Sequence, residues 1–314
     1  MPMNRSLTIV MYHYVRDLER SRFPAIKGLS VERFCRQLDY IHDHYTPIGV
    51  ENVLEALSVP RSELPPNAIL LTFDDGYSDH FVNVFPLLEA RGIRGAFFPS
   101  AQTILEHKVL DVNKIHFVLA SGRDPDALLD RVLQAVSEAA PEYRLQSKES
   151  YLKKLGGNHR YDRREVVTLK LLLQRELPEP IRRPVVRALF AECVTSDEAA
   201  FACELYLSVS QIECMRRHGM HIGGHGHTHA WLNHLSPEAQ AFEVDQSLEF
   251  LQKLGVRKEE WTMCYPYGGY NDSLLQILRD RKCRLGFSAE VRVADLDTDD
   301  YLALPRIDTN DLPS

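Results

Sequence analysis

Short apolar runs rich in β-formers alternate with stretches of helical spacing over most of this 314-residue chain. Runs of that kind, with no polar alternation, fit strands buried on both faces. Residues 7–12 form the first run and end at His13; Val31, Phe34, Leu38 and Ile41 then repeat at helical spacing behind a candidate cap, Ser30. The run 68–73 follows, then a helical stretch over 81–91 closed by Gly92, then a third run at 95–98. The same rhythm resumes late in the chain, with helices expected over 208–218, 237–254 and 271–281 and strands at 221–223, 262–265 and 285–288. Strands alternating with helices predict a parallel α/β architecture, whose functional groups gather at the carboxyl ends of the strands. His13, Asp74, Asp75, His225 and Pro266 all lie at or just past such ends.

Between 104 and 207 the alternation gives way to long helical patterns such as 126–139 and 163–176. Residues 1–103 and 208–314 therefore read as one α/β domain, interrupted by a helical insertion, 104–207. Residues 141–188 hold 12 Lys and Arg against 6 Asp and Glu, although the whole chain carries a net charge of −7. That local excess is either a solvated helical face or an anion-binding surface. The overall acidity gives no general attraction to nucleic acid. No apolar run approaches the roughly 18 residues of a membrane span, and the first residues lack the apolar core of a signal peptide, so the expected compartment is the cytoplasm. Six scattered cysteines with no Cys-x-x-Cys pair fit neither a disulfide framework nor a zinc ribbon.

Two adjacent carboxylates at the end of a buried strand, Asp74 and Asp75, are costly unless something uses them. Past residue 222 the chain reads Gly-Gly-His-Gly-His-Thr-His, with His225 and His229 four apart. If that segment turns helically, both imidazoles share one face. Asp75 then completes a three-ligand set that leaves an open position for water, as a catalytic metal site requires. One carboxylate and two imidazoles suit zinc first, and also cobalt, nickel or iron. Neighbours on a strand end point in different directions, so Asp75 can hold the metal while Asp74 faces water. Coordination lowers the pKa of that water from about 15.7 towards 7, and Asp74 is the candidate general base. On a helix His227 would face away from His225, and His234 could ligate only if the segment does not remain helical.

Thr72-Phe-Asp-Asp-Gly76 and His225-Gly-His-Thr-His229, with Tyr265-Pro-Tyr-Gly-Gly-Tyr270 behind them, resemble the motifs of the polysaccharide deacetylase family, also called the NodB-homology or carbohydrate esterase 4 family. The resemblance covers about 7–103 and 208–311. It implies a distorted parallel (β/α) barrel of about seven strands and metal-dependent removal of an N-acyl group, usually acetyl, from an amino sugar. It also implies Asp74 as base, Asp75, His225 and His229 as metal ligands, and the backbone N–H of Tyr267 as a partner of the oxyanion. Tyr265, Pro266 and Trp231 are candidates for contact with the sugar.

Two departures from the family pattern stand out. Cys264 occupies the place of an arginine that orients the base, and Arg306 is the candidate substitute, with pairing to Asp308 as the competing role. No histidine follows His234, so the family's late acid histidine is missing. His13 resembles that motif displaced to the N-terminal side, as in the branch similar to poly-N-acetylglucosamine deacetylases, and is expected to protonate the departing amine. The expected substrate is an amino sugar, nucleotide-linked or lipid-linked, that serves as precursor of a surface polysaccharide. Competing readings are a carbohydrate-binding protein without catalysis, at which only Cys264 hints, and a metal hydrolase acting on another bond.

Overall fold

The computed structural model describes residues 5–59, 62–157 and 162–314. The chain divides into two compact units, Met1–Arg16 with Gly28–Lys108 and Ala202–Ser314, and Asp17–Lys27 with Val109–Phe201.

In the first unit seven short strands run parallel: β1 (Ser6–Tyr12), β2 (Ala68–Asp75), β3 (Ala96–Pro99), β4 (His221–Ile222), β5 (Met263–Cys264), β6 (Gly286–Phe287) and β7 (Ile307–Asp308). β1 pairs with β2, β2 with β3 and β3 with β4. Gly224, just past β4, bridges to Met263 of β5, and β5 pairs with β6. Phe287 of β6 bridges to Leu304, and β7 returns to pair with β1. The circuit of parallel contacts closes, and the first strand lies between the second and the last.

Alternation along the strands decides what fills this ring. Leu7 and Ile9 of β1, Ala68 and Leu70 of β2, Ala96 and Phe98 of β3, with Cys264, Phe287 and Leu304, form one buried apolar cluster. The connecting helices follow from local chemistry. Ser30 caps α1 (Val31–His44) by accepting the Arg33 N–H at 3.2 Å, as expected of a serine in an extended N-cap. The stretch expected as a helix over 81–91 is a widened π turn, His80–Val84, that runs into α2 (Phe85–Ala90). Pro86 has no N–H to continue the preceding ladder, which accounts for the irregular turn. Three more helices carry the chain between later strands: α3 (Val209–Arg217), α4 (Pro237–Lys253) and α5 (Asp272–Asp280).

The second unit is helical, with Pro125–Ala139 and Glu179–Cys193 its longest helices among the described residues. Its bounds differ from those read off the sequence because Asp17–Lys27 belongs to it. Phe23 packs edge-on against Phe117 with centroids 5.0 Å apart, and Lys27 Nζ lies 3.1 Å from Asp162. Of the basic side chains of 141–188, Lys148, Lys154 and Lys170 are ion-paired within the unit. Lys148 lies 2.9 Å from Asp126 and 2.8 Å from Asp130, Lys170 lies 2.7 Å from Asp162, and Lys154 pairs with Glu176. No helix among the described residues is long and apolar enough to cross a membrane.

Candidate functional site

Along β2, residues 68, 70, 72 and 74 share the inward face, so Asp74 continues a row of core side chains to the carboxyl end of the barrel interior. A carboxylate that is 2% exposed there needs a partner. Arg306, just before β7, supplies it: Nη1 donates to Asp74 Oδ1 at 2.9 Å and Nη2 to Oδ2 at 2.8 Å. The guanidinium is itself fixed, because Nε donates to the Ser288 carbonyl at 2.8 Å and Nη1 to Thr72 Oγ1 at 3.0 Å. The pairing with Asp308 weighed above is not made; Asp308 instead accepts the Asn310 N–H. Burial pushes the Asp74 carboxyl up, but the Arg306 charge, with smaller help from His225 and His13, brings it down to about 2. Cys264 Sγ lies 3.3 Å from Asp74 Oδ1, so the thiol touches the carboxylate without replacing the cation.

Asp75 leaves the strand in a left-handed conformation, φ +71°, which Asp tolerates better than most residues. Gly76 follows at φ +70°, where an added Cβ would lie 2.6 Å from Pro99 Cβ, so only glycine fits this turn. The Asp75 carboxylate therefore points away from Asp74. Tyr77 donates its hydroxyl to Asp75 Oδ2, a contact the sequence reading missed although Tyr77 stands two residues past the acid. Oδ1 is left buried without a hydrogen-bond partner and faces Nε2 of His225 at 3.4 Å and Nε2 of His229 at 3.2 Å. His225 Nδ1 donates to the Cys264 carbonyl at 2.8 Å, which turns Nε2 towards Asp75.

Zinc binds nitrogen and oxygen at about 2.0–2.2 Å, so neighbouring ligand atoms in a tetrahedron stand about 3.3 Å apart. Both distances to Oδ1 meet that spacing, the three ligand atoms lie within 4.8 Å of one another, and the orphaned Oδ1 is the acceptor such a cation would satisfy. Burial raises the Asp75 carboxyl, but both histidines hold it well below the usual carboxylate range. Among the imidazoles, burial pulls both down; surrounding Cys264, Asp75 and Asp74 lift His225 well above its ordinary value, and His229 stays below its own.

The expectation of a helical turn over 225–229 is corrected. Gly226 at φ +71° and His229 at φ +60° make this a kinked loop, and the kinks bring the imidazoles together, with ring centroids 4.8 Å apart. His227 is turned aside, with Nε2 3.4 Å from Glu106 Oε1. His234 is exposed and lies nearly parallel to Trp231.

His13, just past β1, brings Nε2 to 4.0 Å from Asp74 Oδ2 while its side chain remains 44% exposed, so it is open to an incoming molecule. Tyr267 adopts φ +57° in the turn Pro266–Gly268, and its ring meets His229 edge-on at 4.7 Å. Trp231 stacks flat on Tyr267, 4.2 Å apart and 3° from parallel, bracing that turn. Pro266 is buried at its start. Tyr265 was read as a sugar contact; its ring is 1% exposed and its hydroxyl donates to the Leu302 carbonyl, so it belongs to the barrel core. Strand alternation turns residue 265 away from the site on which residue 264 borders.

Known proteins show the same arrangement of elements. The family profile described as polysaccharide deacetylase matches residues 61–156 and 194–286. The poly-β-1,6-N-acetyl-D-glucosamine N-deacetylase of Escherichia coli K12 is 28% identical over 90 residues, which make up 28% of this chain and only 13% of that protein. The BpsB deacetylase domain of Bordetella bronchiseptica superposes with a TM-score of 0.57 at 14% identity, over 98% of this chain and 97% of that one. The Streptococcus pyogenes deacetylase PplD, in complex with acetate, gives a TM-score of 0.56 at 18% identity, over 96% and 92% of the two chains. These structural likenesses are ones of fold. With more than half of its residues inside the profile, the chain belongs to the polysaccharide deacetylase family.

Proposed function

We propose that this chain is a metal-dependent hydrolase that removes an N-acyl group, acetyl, from an amino sugar of a surface saccharide. The observation that carries the reading is the division of labour across one dipeptide. Asp75 offers an orphaned oxygen to two imidazoles, while Asp74 is held ionised by Arg306. A divalent cation bound by Asp75, His225 and His229, zinc first and cobalt, nickel or iron as alternatives, would polarise the acyl carbonyl and acidify water. Asp74 takes the water proton. His13, open to solvent beside it, gives a proton to the departing amine, which leaves poorly without one. The Tyr267 N–H is assigned to the developing oxyanion, a role for which a well-placed donor contributes roughly 3–4 kcal/mol.

The test is to incubate the metal-loaded chain with N-acetylated and N-formylated amino sugars, free, oligomeric, nucleotide-linked and lipid-linked, and to assay acetate and formate. Acetate release is expected; no acyl release from any of them sinks the proposal. Lys148, Lys154 and Lys170 of the helical unit are already ion-paired, and the saccharide itself is the proposed substrate, with linked forms as comparison arms. The non-catalytic reading rested on Cys264, and Arg306 fills the role that residue left open. A Cys264→Ala chain is therefore expected to turn over within about ten-fold of the parent, because a thiol is a weak donor and one hydrogen bond contributes about 1 kcal/mol. A loss of a thousand-fold in kcat/KM would show instead that the thiol is essential to Asp74.

A further inference from the structure

The loop joining the two histidines is buried, and every polar backbone group in it demands a partner. Its carbonyls find theirs just past β3: the Ala101 N–H donates to Gly226 O at 3.2 Å, and the Gln102 N–H and Ser100 Oγ donate to His227 O at 3.0 and 2.9 Å. Its N–H groups turn the other way. Glu243, on α4 and 5% exposed, receives the His227 N–H at 2.8 Å and the Thr228 N–H at 2.9 Å on one oxygen, Oε2, and the Thr228 hydroxyl at 2.6 Å on the other. Two successive N–H groups converging on one oxygen form an anion-holding concavity. Gly226 permits it, since its φ is +71° and an added Cβ would stand 3.2 Å from Oε2.

From this we infer that Glu243 is a positioning residue of the metal centre, fixing the backbone between His225 and His229 so that both Nε2 atoms face Asp75. Its carboxylate bonds the loop backbone and the Thr228 hydroxyl rather than the ligand atoms themselves. The inference rests on the metal-site reading above. A glutamine can do the same work: its amide oxygen in place of Oε2 keeps both N–H bonds, and its NH2 group can donate to a Thr228 hydroxyl turned to accept. Alanine can do none of it.

Zn²⁺ affinity of the full chain is measured by competition with a chromophoric chelator, together with melting of the metal-free and zinc-loaded protein. Glu243→Ala is expected to weaken zinc at least about ten-fold and Glu243→Gln by no more than about three-fold. The zinc-induced rise in Tm should shrink with Glu243→Ala and persist with Glu243→Gln. A merely structural role would lower the Tm of the metal-free chain and leave zinc affinity at the parental value. Should Glu243→Ala not fold, Glu243→Asp, which withdraws the oxygens by about 1.5 Å, carries the same expectation. A parent that takes up no metal overturns both readings. A parent that binds alongside a Glu243→Ala, or failing that a Glu243→Asp, that binds equally well overturns this one alone, as does a Glu243→Gln as weak as Glu243→Ala.

Discussion

An Asp75→Ala chain is expected to hold no stoichiometric divalent metal and to release acetate at least about a thousand-fold more slowly than the parent, because the Lewis-acid contribution to such hydrolyses is several kcal/mol. Two imidazoles remain, but the oxygen that faces both of them is gone. Asp75→Asn is the informative companion. It keeps a residue that tolerates φ +71° and a group that can accept from Tyr77, so it removes the ligand charge with little change to the backbone. Elemental analysis and acetate assays report on both variants. Deacetylation by Asp75→Ala at the parental rate would remove this residue from the metal site.

Arg306→Gln has the second large effect, and its size changes with pH. In the parent the Arg306 charge, with smaller help from His225 and His13, outweighs burial and holds Asp74 at about 2, so the proposed base is ionised at every pH at which the protein would be assayed. An unfolded aspartate titrates near about 3.9. The pair therefore contributes stability that is fully present above that value and is lost as pH falls through about 2. Without the guanidinium, burial is opposed only by the weaker influence of His225 and His13, and the pKa of Asp74 should rise above the unfolded value. The variant should lose roughly 3–5 kcal/mol, as buried pairs do when one partner is removed. The deficit should be largest near neutral pH and shrink towards pH 4, as Asp74 takes up a proton in the folded state. In kcat/KM the acid limb should move upward, with a loss of about a hundred-fold or more near neutral pH for a base left partly protonated. Equal Tm deficits at about pH 4 and pH 7 would contradict the assignment of Arg306 as the group that ionises Asp74.

What could be read from the sequence was whatever depends on local pattern. The six anticipated strands are present because each is a short apolar run that ends at a polar or turn residue. Asp74 and Asp75 were placed at a strand end by the same reasoning. Contacts between distant residues were harder to see. Arg306 could be nominated from a missing arginine, but its pairing with Asp74, 232 positions away, depends on ring closure that no local pattern encodes. Nothing in the helix expected over 237–254 singles out Glu243, and only the bent loop opposite explains its burial. That bend was itself misread, because a four-residue spacing suggests a helical turn while the positive φ of Gly226 and His229 leaves no mark in a periodicity. Tyr265 was misassigned for a related reason: an aromatic beside a proline looks like a rim residue until the strand before it fixes which way it points.

The closure of the barrel also bears on the order in which the protein can become active. Val10 of β1 meets Ile307 of β7, so the ring is sealed by segments separated by nearly the whole described chain. As a chain emerges from the ribosome, His13, both aspartates and both histidines are all made before Arg306. Until that last strand docks, Asp74 is a carboxylate facing an apolar interior with no cation to offset it, which disfavours a tightly closed, dry ring. Contacts of such long separation form late in folding. On the proposed mechanism, proton-handling competence would therefore arrive with the final strand, and a nascent chain that already carries every recognisable motif would still be inert.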